Sequence, residues 1–595
     1  MPETYVELHC HSCYSLLDGA SFPEDLVARA AALGMSALAL TDHDALYGAM
    51  RFVHAAKAQG IQPILGAELT LTDGSHLTLL VENETGWHNL CYLISRGRRN
   101  APQSESALAL TELAGYTNGL IALSGCRKGA IAAALQQHER SETALAIARH
   151  YQELFGEGQF FIELQRHFLP GEERLISRLT ALASYLHLPL VATNNVHYAL
   201  PDGHRLQDVL VCIRHLTTLD ESLALRRPNS EYYLKSPAQM ADLFPGYPQA
   251  LENTLLIAER CRFELHYGLQ ELPLFAAPHG LSSQAYLNRL CEESIPDGYG
   301  ETHAPMACSF VTFRARSAWR DVAKVLGLRP DILGQAERIL EGQGEGLAAA
   351  APVQQLLDLC QQIEGLPRRL GIHSGGMVIT GAPVMGRVAT EPATMTDRMV
   401  VQEDKEGREE AGLVKIAPLG LLMLSAIRDA VKLIEAMSGT SPDLARLTFD
   451  DPDVYDMISQ TDTLGVFPWE SRVQAQMLPR LRPRTLADLV VAISLIRPGS
   501  TQGNGVHSHA AAFAVLVYQS AWLKRYHPIP FYTALLNNQP MGFWNAAVIV
   551  NEMQRRMIPI LPVDVQLSQW PYTIEGVGIR IGLCCVQELG AIVAE

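Results

Sequence analysis

An α/β fold is predicted for the first 200 residues, either a β/α barrel or an open doubly wound sheet, followed by mainly helical and mixed α+β segments. Three observations predict it. Apolar, β-rich runs alternate with helix-patterned segments at the spacing of βα units. Each run ends in a polar residue. No run approaches the roughly 18 consecutive apolar residues of a membrane span. With 595 residues, 48% of them hydrophobic and 18% charged, the chain is expected to form three or four packed units.

In order, "YVELHCH" reads as a strand leading to the helix "PEDLVARAAALGM", and "SALALTDH" as a strand leading to "GAMRFVHAAKAQG". The strands "QPILGAELTL" and "HLTLLVEN" precede the helix "HNLCYLISRGRR". "GLIALSGC", "FFIELQRH" and "LPLVATNNVHY" are strands separated by "GAIAAALQQ" and "RLISRLTALASYLHL". This order predicts a largely parallel sheet. In either architecture the functional face lies at the strands' carboxyl ends. From 203 to 270 the pattern is helical, and "LQELPLFAAPHGLSS" at 269–283 reads as a linker. Beyond it, 284–365 reads mainly as helix, 366–420 as mixed strand and loop, and 421–555 as helix again.

Composition narrows the function classes. A net charge of −16 argues against indiscriminate wrapping of nucleic acid, yet leaves room for a local basic stripe. Eleven cysteines, of which only Cys10 and Cys13 stand at CxxC spacing, are expected to be reduced. The opening "MPETYVELHCHS" lacks the basic stub and apolar run of a secretory signal, so a cytoplasmic location is expected, with no membrane partner. There is no P-loop motif and no HExxH, and "GQGEG" at 342–346 follows helical pattern rather than a strand, which makes it a loop.

The strand ends carry metal-ligand types. His9 and His11 share one face of their strand, as do Asn195 and His197. Other strand ends add Asp42 and His43, Glu68, His76, Cys126 and His167, and the first loop adds Asp18. Imidazole and thiolate suit zinc and other first-row transition metals, while a carboxylate can bridge two ions. Clustered ions of this kind serve phosphodiester hydrolysis.

"LHCHSCYSLLDGA", "TDHDALYGA", "PILGAEL", "HLTLL", "SGCRKGA" and "ATNNVHY" together closely resemble the polymerase-and-histidinol-phosphatase (PHP) domain at the front of bacterial C-family DNA polymerases, the DNA polymerase III alpha subunits. The resemblance implies a distorted β/α barrel binding up to three divalent ions, zinc or manganese, and acting as a 3′–5′ exonuclease. It implies His9, His11, Asp18, His43, Glu68, His76, Cys126 and His197 as ligands. Where the family pattern has an aspartate, this chain has Asn195, a neutral ligand. The implied catalytic group is His9, His11 and Glu68, with His167 to contact phosphate or transfer a proton.

The resemblance continues, most closely to the error-prone branch, through "VTFRARSAWRDVAKVLGL", "LPRRLGIHSGGMVI", "EAGLVKIAPLGLLML" and "TLGVFPWESRVQAQMLPRLRPRTLADLVVAISLIRPG". It implies a PHP domain at 1–272 with its barrel core at 1–200, a vestigial palm entry at 273–300, and a thumb-like helical segment at 301–365. A palm remnant at 366–450, a fingers-proximal remnant at 451–545 and the start of a C-terminal region at 546–595 follow. The family's D-x-D palm motif has no counterpart between "YLNRLCEESIPDGYG" and "ETHAPMACSF", and Ala417 stands where a "K-F-D-x-L-G" strand would place the third carboxylate. "RPGSTQGNGVHSHAAAF" joins segments that the family separates by most of its fingers.

DNA synthesis, which needs a pair of magnesium ions, is therefore expected to be lost. No parts resembling the family's clamp-binding region follow. The expected partners are DNA and proteins of a repair-polymerase complex. Arg316, Arg320 and Lys324, four residues apart on one predicted helix, form a candidate phosphate-binding stripe, and Arg480, Arg482 and Arg484 a second patch. The leading expectation is a metal-dependent phosphodiesterase. A non-catalytic DNA-binding or repair-complex protein is the alternative, and an active DNA-directed DNA polymerase the third.

Overall fold

The computed structural model describes residues 5–102, 105–137, 141–265, 303–328, 351–393, 398–416, 422–467, 469, 472–496, 506–540 and 544–586. The linker at 269–283, the palm entry at 273–300, "GQGEG", Ala417 and Gly505 lie outside the described residues.

Six strands form the first sheet in sequence order: β1 (Ala37–Leu40), β2 (Gln62–Thr70), β3 (His76–Val81), β4 (Leu120–Leu123), β5 (Phe160–Leu164) and β6 (Leu190–Ala192). The segment before β1 joins the two edges. Glu7 bridges in parallel to Leu38 on β1, and Cys10 bridges in parallel to Val196 just beyond β6. His11 N–H donates to Val196 O at 2.7 Å, and Val196 N–H donates to His9 O at 2.8 Å. The sheet thus curls into a barrel whose closing stave is the chain's own first segment.

The sheet departs from the expected parallel order in its middle. β1–β2, β4–β5 and β5–β6 are parallel, whereas β2–β3 and β3–β4 are antiparallel. The cause is local: "LTDGS" between β2 and β3 is too short for a crossover, which takes a dozen or more residues, and it turns the chain straight back. Gly74 takes a φ of 79° in this turn, and Asp73 caps it by accepting from Ser75 N–H at 2.9 Å.

Both faces of the strands are buried. Val6, Leu8, Ala37, Ala39, Ile64, Leu80, Ile121, Leu123, Phe161 and Val191 form one cluster, the barrel interior, plugged by Ile257 and Ala258 of the helix Pro248–Arg260. The alternate residues, among them Leu38, Leu40, Leu65, Ala67, Leu77 and Leu79, pack on the surrounding helices. Full burial of such side chains contributes about 1.5–3 kcal/mol each.

A second sheet, in the order β11-β8-β7-β10-β9, comprises β7 (Met306–Thr312), β8 (Pro367–Val378), β9 (Thr390–Pro392), β10 (Met399–Val401) and β11 (Lys415–Ile416). β7 lies in the stretch read mainly as helix. Its side chains alternate between less exposed Cys308 and Phe310 and exposed Ser309 and Val311, and its backbone is claimed by the long antiparallel partner β8. This sheet docks on the helix Glu84–Arg99, where Trp87 Nε1–H donates to Arg387 O at 3.0 Å and Thr390 N–H donates to Ser95 Oγ at 2.8 Å.

The chain divides into two compact units, Met1–Pro418 and Leu419–Glu595. The second unit is helical through Leu422–Ser438, Pro452–Ser459, Arg472–Leu481, Leu486–Ile496, Val506–Tyr526, Pro528–Asn537 and Ala546–Arg555. Small strands at Ile560–Leu561, Thr573–Glu575 and Gly578–Arg580 follow. Among the described residues no helix is long and apolar enough to cross a membrane.

Candidate metal centre

On β2 the interior side runs Ile64, Gly66, Glu68; on β3 it runs Leu80, Thr78, His76; on β5 it runs Phe161, Glu163. One end of the barrel interior is therefore hydrocarbon and the other polar. His76 stands at the start of its strand yet reaches the same end as Glu68, at the close of another, because β3 runs antiparallel to β2.

Glu68 is the hub. Its Oε1 lies 3.4 Å from His9 Nε2 and 3.2 Å from His76 Nδ1. Its Oε2 lies 3.6 Å from His11 Nε2 and 3.0 Å from His43 Nδ1. Among the described residues, three groups have ligand atoms close enough to share an ion: His9, His11 and Glu68; His43, Glu68 and His76; and His11, His43 and His197. Cys126 Sγ sits 3.8 Å from His76 Nδ1, and Asp18 Oδ2 sits 3.3 Å from His43 Nε2 and 3.8 Å from His197 Nε2.

The residues present fit divalent ions. His9 Nε2, His11 Nε2, both carboxylate oxygens of Glu68 and Asn195 Oδ1 are buried without a hydrogen-bond partner. Five unpaired polar atoms in one barrel end would be costly unless something coordinates them. Asn195 also holds a left-handed backbone, φ 47°, a conformation asparagine tolerates better than most residues.

Burial opposes charge throughout the centre. For His9 it is outweighed by the carboxylates of Glu163 and Glu68, which raise the imidazole to about 10. His43 and His76 rise to about 9 in the same way, with Glu68 the main cause in each. Against its own burial, Glu68 is held well below the ordinary carboxylate range by His76, His9 and His43. His11 is pushed well down by burial and by its neighbours His43 and His197. Protons thus occupy sites that a cation would take, and ion binding must release them.

Two supporting carboxylates are absent from the ligand motifs. Glu163 Oε1 accepts from His9 Nδ1–H at 2.7 Å, which aims Nε2 at Glu68 and leaves it the nitrogen that would give up its proton to an ion. Its signal is a lone acid inside the apolar run "FFIEL". Glu7 accepts from Tyr5 Oη–H at 2.7 Å, His9 N–H at 3.0 Å and Asn194 N–H at 3.0 Å. Asp42 is not among the grouped ligands; it accepts from Ser12 N–H, Ser12 Oγ–H and Ser15 Oγ–H and fixes the first loop.

His167 lies outside the three groups. Its Nε2–H donates to Asn194 O at 2.9 Å, its ring stacks on Tyr232 at 3.9 Å, and burial pushes its pKa to about 3. Arg316, Arg320 and Lys324 stand exposed along the helix Ala315–Val325, opposite buried Ala318 and Val322. Arg480, Arg482 and Arg484 are exposed at and beyond the end of the helix Arg472–Leu481.

Residues 7–167 match the model of the PHP domain, 289–420 that of the bacterial DNA polymerase III alpha NTPase domain, and 423–514 that of the bacterial DNA polymerase III alpha subunit finger domain. The error-prone DNA polymerase of Mycobacterium bovis is 30% identical over 827 aligned positions, covering 99% of this chain and 75% of the relative. That of Methylococcus capsulatus is 30% identical over 812 positions, covering 98% and 76%. Both alignments are far longer than 595 residues, so the relatives carry stretches with no counterpart here. With a PHP domain in front and the alpha-subunit segments behind it, the chain belongs to the error-prone DNA polymerase family.

Proposed function

We propose that the barrel end hydrolyses phosphodiester bonds with the help of divalent ions, acting as a 3′–5′ exonuclease on DNA, and that templated synthesis has been lost. The observation that carries this reading is the convergence of four imidazoles on the two unpaired oxygens of Glu68. His9, His11, Glu68 and Asn195 would hold one ion, and Glu68, His76, Cys126 and His43 a second. Divalent ions held there would supply an ionised water and neutralise phosphoryl charge.

The chain's own residues do the rest. Glu68 keeps its negative charge and links the two positions. Glu163 keeps the proton on His9 Nδ1, so that Nε2 is the nitrogen that would lose its proton to a bound ion. Asp42 pins the loop bearing Ser12 and Ser15, and Ser15 Oγ, 3.2 Å from His11 Nδ1, orients that ring. His167, with Nε2 engaged and its ring stacked, supports the 194–197 segment rather than carrying protons. Arg316, Arg320 and Lys324 would hold backbone phosphates of DNA without reading sequence.

The missing D-x-D motif and Ala417 support loss of synthesis, because two-metal nucleotidyl transfer needs carboxylates at the primer end. The purified full chain should retain zinc or manganese and shorten single-stranded or mismatched DNA 3′ ends. Chelation, or joint His9→Ala and His11→Ala substitution, should abolish the cleavage. A chain that binds neither metal and cleaves nothing would favour the DNA-binding, non-catalytic role. Primer extension above the level of the double variant would restore the polymerase reading.

A further inference from the structure

The two sides of the barrel end differ in what their ligand atoms already touch. Around Glu68 the carboxylate oxygens and the His9 and His11 nitrogens lack hydrogen-bond partners. Around Asp18, Oδ1 is already bonded by protein and a second arginine stands near Oδ2. Gln207 Nε2–H donates to Asp18 Oδ1 at 3.0 Å, Arg214 Nη1 lies 3.9 Å from Oδ2, and Arg227 Nη2 lies 3.4 Å from Oδ1. The same Arg227 Nη2 donates to His197 Nε2.

That contact consumes the ligand atom. His197 Nδ1–H is committed to Asn195 O at 2.8 Å, which fixes the tautomer and leaves Nε2 as the ring's single lone pair. A guanidinium has donors and no acceptor, so it cannot share this nitrogen with a metal ion, and two cations cannot occupy one place.

Arg227 is also held in position. Its guanidinium lies over the Tyr232 ring at 4.7 Å. On one side Arg226 is anchored to Asp208 Oδ2 at 2.6 Å and to Leu219 O at 3.1 Å. On the other, Asn229 Nδ2–H donates to His167 O at 2.6 Å. The side chain is 21% exposed.

We infer that Arg227 is a built-in cation standing in for a third metal ion, so that the centre binds two divalent ions rather than three. Asp18 already faces Arg227 and, more loosely, Arg214, so a divalent ion there would add positive charge beside two other ions with no further carboxylate among the described residues to offset it. The positive charge at this corner is then permanent and independent of metal supply. This inference rests on the barrel end being a metal centre, as proposed above.

Metal counting on the full chain tests it. After saturation with zinc or manganese and removal of free ion, mass spectrometry of the metal should give two ions per chain. Arg227→Ala should raise the count to three, with a further, weaker step in the calorimetric isotherm, and Arg227→Lys should keep it at two. Arg227→Met serves as a second uncharged variant, and circular dichroism checks that each variant folds. Three ions in the unsubstituted chain, or two in a folded Arg227→Ala or Arg227→Met chain, overturns the role of Arg227 and leaves the metal reading intact. No ion in the unsubstituted chain overturns the metal reading itself, and this inference with it.

Discussion

Glu163 touches no expected ion, yet the His9 ring depends on it. Replacing it by glutamine keeps the shape and removes the charge that polarises Nδ1–H. Metal affinity of a Glu163→Gln chain, measured by competition with a chromogenic chelator, should fall about 10- to 100-fold, with the fold unchanged by circular dichroism. At this scale the sequence displays candidate ligands and hides their supports. His9, His11, His43, Glu68 and His76 are legible because imidazoles and acids at strand ends are chemically conspicuous. Glu163 and Arg227 are not, because their meaning comes from partners far along the chain, His9 for one and His197 for the other.

The elements show the same division between local and distant causes. Near-continuous apolar runs mark β1 to β6 because both faces of each strand are buried, a condition written in each run itself. Strand direction is less visible: only the shortness of "LTDGS" betrays the antiparallel β2–β3 pair. β7 escapes a helical reading of its region because its pairing partner β8 begins more than fifty residues later. The helix Ala315–Val325 is fully legible, one face apolar and the other basic. Joint Arg316→Ala, Arg320→Ala and Lys324→Ala substitution should weaken DNA binding whatever the base sequence. In a fluorescence-anisotropy titration it should also flatten the salt dependence, by about 0.7–0.9 in log–log slope for each phosphate that is no longer neutralised.

For the whole molecule, stability should carry a pH signature from the second sheet. Glu403 is buried and its pKa is raised to about 8, by burial first and then by Asp404 and Glu410. Between its ordinary value of 4.5 and about 8 the folded chain holds a proton that the unfolded chain releases. Its contribution is complete below that window and is lost as pH rises through it, at up to about 1.4 kcal/mol per pH unit. Glu403→Gln should flatten this decline, so that thermal melts of variant and parent separate most above pH 8. The two-unit division after Pro418 falls beside the change from mixed strand and loop to helix read at 420–421, although the family resemblance draws no boundary there.

The stave made by the first segment has a consequence for how the protein is born. His9 and His11 are synthesised before every strand of the sheet, but the edge they must pair with includes Val196, which emerges only after the last of those strands. The foremost histidines must therefore wait, exposed, through synthesis of the entire barrel before a stable centre can form. A centre that needs both edges of the barrel can close only as the last act of the domain's folding.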